Sequence, residues 1–197
     1  MTNLPKIGQP ATRALKEINV TTLEEVAQFD EQNLAHLHGV GPKAIGILKE
    51  ALMERGLNFN KLDEDLSHLK FVVRGDLNCD NAPKRRIVRD IVVGSTAGDI
   101  KAVEPWLSDD LIWEVPGEFE LTGKDAFIKQ LQAYTEMVRS LEIKSILSHG
   151  KEASIHGTMI DHSGKPMHFA EMYEFANHKK DSKIKKITSY IMMKQND

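Results

Sequence analysis

His156, Glu171 and Tyr173 are the residues of this chain whose types and spacing could do chemistry. A carboxylate beside a histidine can share and relay a proton, and a tyrosine nearby can donate a hydrogen bond. They fall on two strand-like runs, 151–160 and 167–177, joined by the turn signal DHSGKP. Pairing the runs about that turn sets Ser154, His156 and Thr158 on one face with Phe169, Glu171 and Tyr173. The competing reading is a polar cross-strand pair on an exposed or dimer-facing surface. Trp113 and Val115 share strand parity, so both are expected to line a pocket, with plain core packing the alternative for Trp113. Tyr190 and Met192, on a final run at 183–193, complete the expected lining. His156, His162 and His168 recur every six residues across a turn, which is no metal-ligand spacing, and no metal is expected. Phosphate-binding loops, nucleophile elbows and paired CxxC motifs are missing, so no cofactor is expected either.

Positioning those groups takes a framework, and its clearest part is 96–123, TAGDIKAVEPWLSDDLIWEVPGEFELTG. Gly98 suits the end of a helix and Asp99 the cap of the next. Ile100, Val103, Trp106 and Leu107 have helical spacing, and 111–115 reads as a strand that stops at Pro116-Gly117. A helix follows over 124–139, with Phe127, Leu131, Tyr134 and Val138 on one face. Strands are expected at 141–148, 151–160, 167–177 and 183–193. Before all of these, Ile87, Val88, Ile91 and Val92 mark a helix over 84–97, opened by the basic group Lys84, Arg85, Arg86 and Arg89.

The N-terminal third is different in kind. Val20, Leu23, Val26 and Leu34 follow helical periodicity, and Thr22 with Glu25 fits a capping box. In 34–52, Gly39-Val40-Gly41 makes a tight connection, Pro42 opens a helix, and Ala44, Ile45, Leu48 and Leu52 form its buried face. Residues 61–80 carry Leu62, Leu66 and Leu69 among acids, then Phe71-Val72-Val73. They read as a connector that packs on its neighbours.

The run AGDIKAVEPWLSDDLIWEVPG, followed by LTGKDAFIKQL, resembles the NTF2-like superfamily and, within it, the SnoaL-like group, over roughly Asn81 to Lys194. The resemblance implies a cone, a curved sheet wrapped by helices around a pocket. Its enzymes include ketosteroid isomerase, limonene epoxide hydrolase and SnoaL-type cyclases, and many other members only bind or assemble. The isomerase's catalytic Asp falls on Val115 and its catalytic Tyr on Ile91, so base and oxyanion donor are both replaced. The Tyr-x-Asp ending of many SnoaL-like chains reads Tyr190-Ile191-Met192 here.

The 34–52 segment resembles a helix-hairpin-helix motif, LPKIGQPATRAL resembles a degenerate first copy, and 4–59 is similar to the C-terminal domain of the bacterial RNA polymerase alpha subunit. That resemblance implies DNA phosphate contacts at Gly39, Gly41 and Lys43, through amides at a helix start. Two features oppose it: the polymerase domain's DNA-reading Arg falls on Pro10, and residues 1–59 hold six basic against seven acidic side chains, net −1. Docking to a protein is therefore the alternative.

The expected fold is α+β: a small all-α helix-hairpin-helix domain (1–60), a connector (61–80) and an NTF2-like cone with a mainly antiparallel sheet (81–197). At 197 residues, 41% apolar and net charge −3, the chain has room for two modest domains and no general pull toward nucleic acid or membranes. Its single cysteine, Cys79, precludes an internal disulfide, and no secretion signal or membrane run is visible, so a cytoplasmic protein is expected. The leading expectation is a non-enzymatic binding protein, its pocket holding a small apolar ligand and its hairpin domain docking to DNA or protein. The alternative is a SnoaL-like lyase, isomerase or hydrolase acting on a small hydrophobic molecule. Both faces of the last strand carry apolar side chains, so a homodimer through the C-terminal sheet is expected.

Overall fold

A computed structural model describes residues 1–61, 66, 68–79, 81–133 and 138–193. Helices α1 (Gln9–Glu17), α2 (Leu23–Val26), α3 (Glu31–Ala35) and α4 (Pro42–Glu54) come first. Strand β1 (Val72–Gly75) follows, then α5 (Pro83–Ala97), α6 (Ile100–Val103) and a 3-10 turn at Glu104–Trp106. The rest is β2 (Leu107–Val115), β3 (Phe119–Thr122), α7 (Lys124–Ala133), β4 (Val138–His149), β5 (Glu152–Asp161), β6 (Pro166–Phe175) and β7 (Ile184–Met193). Among the described residues seven strands form one sheet in the order β1-β4-β5-β6-β7-β2-β3. The pairings are antiparallel except β1 with β4 and β2 with β7. The sheet is thus mixed rather than purely antiparallel.

Local signals set much of this. Gly98 ends α5 in the left-handed conformation, and the Asp99 side chain accepts from Ala102 N–H at the start of α6. Thr22 and Glu25 close the expected capping box. Two elements differ from expectation. β3 turns back on β2 around Pro116-Gly117. Helix α7 is shorter than 124–139, and Val138 already belongs to β4, where it pairs with Asp161. Sheet pairing overrides the helical stripe there; Tyr134 of that stripe and Leu62 of the connector lie outside the described residues.

The connector joins the two halves through β1. Its alternate side chains serve two cores: Val73 packs with the sheet and α5, while Val72 and Ile160 pack with the N-terminal helices. Asn33 of α3 is fully buried and accepts from Val73 N–H at 2.7 Å. Arg74 lies 3.4 Å from Glu142 and over the Phe29 ring.

Candidate functional site

Strand alternation sends neighbouring side chains to opposite faces, and laterally paired residues share a face. Ile155 pairs with Glu171, and Glu171 with Ser189, so these form one row facing the core. His156 pairs with Ala170, and Ala170 with Tyr190, so these form the next row, on the other face. Thr158, His168 and Met192 continue that outer face.

The inner row holds a polar chain in an apolar setting. Trp113 Nε1–H donates to Ser189 Oγ at 3.0 Å, and Ser189 Oγ–H donates to Glu171 Oε1 at 3.0 Å. The Tyr173 hydroxyl donates to Glu171 Oε2. Trp113 is fixed edge-on against Phe119 and Phe127. Burial pushes the Glu171 carboxyl above its ordinary range, while the Tyr173 and Ser189 hydrogen bonds pull it back. Burial and the neighbouring carboxylate push the Tyr173 hydroxyl well up. One row beyond Glu171, Phe169 pairs with Ile191, which is 41% exposed.

The expected site residues therefore separate. Trp113, Val115, Glu171 and Tyr173 face the inside, Val115 as packed core. His156 stands on the opposite face from Glu171, so the expected His156–Glu171 pair does not form. Tyr190 and Met192, 43% and 60% exposed, line the outer face rather than the pocket. The register of β7 against β6 places Tyr190 and Met192, and the β5–β6 turn places His156. The Asp161 side chain accepts from Ser163 and Lys165 N–H, and Gly164 takes φ +82°. Asp161 N–H donates to the Lys165 carbonyl, leaving a three-residue loop. An odd loop pairs residues of like parity, 156 with 170, whereas the expected face required 156 beside 171. Ser189 was not anticipated. The demand of a half-buried indole N–H for an acceptor was the signal for it.

In the N-terminal helices, α1 begins after Gly8 and α4 after Gly41, and no side chain caps either. Gly39 has φ +97°, and a Cβ on it would stand 3.1 Å from the Pro10 carbonyl oxygen. The turn before α4 therefore packs against α1 at Pro10 and Ala14, and Gly39 is required by that close approach. Gly41 and Lys43 are exposed. Among the described residues no group of three His, Cys, Asp or Glu gathers to hold a metal, and no helix is long and apolar enough to cross a membrane.

The fold has relatives of known structure. An NTF-2 like protein of unknown function from Burkholderia xenovorans LB400 is 18% identical, with a TM-score of 0.51 over 61% of this chain and 91% of that one. A protein from Kribbella flavida DSM 17836, provisionally described as a ketosteroid isomerase, is 14% identical, with a TM-score of 0.50 over 58% and 82%. At such identities the likeness shows the fold alone. No curated protein matches the chain. The sequence profile of the SnoaL-like domain matches residues 88–187, from α5 into β7. That is just over half of the 197 residues, and the chain belongs to the SnoaL-like domain family.

Proposed function

We propose that this protein binds rather than transforms: its cone takes a small, largely apolar ligand at the inner mouth, and its N-terminal helices dock the protein onto DNA or a protein. The observation that carries the first part is the Glu171 carboxyl, held by Tyr173 and Ser189 one row inside the exposed Ile191. Such a group suits one polar atom of an otherwise apolar molecule. Ile91 and Val115, where related isomerases place a hydroxyl and a base, are buried and apolar. Native mass spectrometry of the intact chain tests this. A bound small molecule that Glu171→Gln releases supports the reading, and a clean apo mass from freshly purified protein sinks it.

The docking part is supported by the two helix starts that no side chain caps, whose amides suit an anionic backbone. Lys43→Glu is expected to weaken duplex DNA binding about 3- to 10-fold and flatten its salt dependence. No duplex binding by wild type at low salt leaves docking to a protein.

The enzymatic alternative rests on Glu171 and Tyr173 without His156. We further propose a homodimer through the outer face. Leu147, Met172, Tyr190 and Met192 are exposed there, and a second copy is the commonest cover for such a face.

A further inference from the structure

The connector leaves a hollow of about 340 Å³ against α5 and α6, within the range of small-molecule sites. It is separate from the cone mouth: none of Trp113, Glu171, Tyr173 or Ser189 lines it. Val93 and Ala97 of α5 form one wall, Ala102 and Trp106 a second, and Leu66 and Leu69 of the connector a third. The helices meet through a glycine, since a Cβ on Gly94 would stand 2.8 Å from Val103 Cγ2. With α5 and α6 that close, Ala97 and Ala102 leave space that larger side chains would fill.

Charged side chains gather at one end. Arg89 is buried, donating from Nη1 to the Leu77 carbonyl at 3.0 Å and from Nε to Asp90 Oδ1 at 2.8 Å. Asp99 also lines the hollow, so among the described lining residues Arg89 meets two carboxylates, Asp90 and Asp99. Trp106 adds an aromatic surface, which suits a flat ring and attracts positive charge. The wall is also tied to the N-terminal helices. The Leu66 carbonyl accepts from Asn33 Nδ2 at 3.4 Å.

We propose that this hollow binds a small, planar, aromatic molecule that is uncharged or cationic. The test is calorimetric titration of the full chain with indole, tryptamine and indole-3-acetate. Saturable binding is expected for tryptamine and indole, with indole-3-acetate at least tenfold weaker. Ala102→Leu should fill the hollow and weaken tryptamine tenfold or more. Glu171→Gln should leave tryptamine binding unchanged, which separates this site from the cone. Should Ala102→Leu fail to fold, Trp106→Ala reads the same loss. The proposal is overturned by no saturable binding of indole or tryptamine at millimolar concentration, or by indole-3-acetate binding most tightly. Binding that Ala102→Leu and Trp106→Ala leave intact, or that Glu171→Gln abolishes, overturns it equally.

Discussion

On the inner side of β6, Phe169 and Tyr173 are buried and Glu171 is held between two hydroxyls. On the outer side of the same strand, Met172 is 56% exposed and His168 meets the Thr158 hydroxyl at 3.0 Å. One residue of offset separates the two sets. Inside, low polarity makes each polar atom depend on a protein partner and shifts its proton affinity. Outside, the N-terminal helices cover the end of the face around Ile160, while Leu147, Met172, Tyr190 and Met192 are exposed.

The sharpest way to break this contrast is truncation on each face. Trp113→Ala removes an indole packed on two phenyl rings and the donor to Ser189, and should cost about 3 kcal/mol in urea unfolding. Met172→Ala should stay within about 0.5 kcal/mol. Equal losses would mean that the outer face is as packed as the inner one.

A charge on the outer face tests its cover. Tyr190→Asp should weaken a dimer at least tenfold, about 1.4 kcal/mol, while leaving the fold intact. Light scattering reads it: wild type near twice 22.2 kDa and the variant near 22.2 kDa at micromolar concentration. Wild type near 22.2 kDa removes the dimer outright.

The smallest effect concerns the proton on Glu171. Burial raises its folded-state pKa, so the folded chain binds that proton more tightly than the unfolded one. Its contribution is fully present below the unfolded value of about 4.3 and is lost as pH rises through the folded value. Glu171→Gln does not titrate, so its stability relative to wild type should increase across that window. A difference between the two that stays flat with pH would show that Glu171 has no raised pKa.

Much was legible because it is written in short stretches. Gly98-Asp99, Pro116-Gly117 and the Thr22–Glu25 box act on their own neighbours, and the structure keeps all three. The stripes of α4 and α5 also bury the residues their periodicity names. β1 was harder. Its four residues gain meaning only by lying beside β4 and under Asn33, forty positions earlier.

The amino-acid sequence by itself determined the order of most elements, β3 excepted, the SnoaL-like character and the apolar residues of the final strand, because each rests on local composition and spacing. Only the tertiary structure decided which of those residues share a face. Parity across β5 and β6 depends on whether the loop is odd or even, and Asp161 with Gly164 makes it odd. That choice took His156 to the outside, and the separate register of β7 against β6 brought Ser189 to Glu171 and put Tyr190 and Met192 on the outer face. A strand's period of two turns a one-residue difference in a turn into a full exchange of faces.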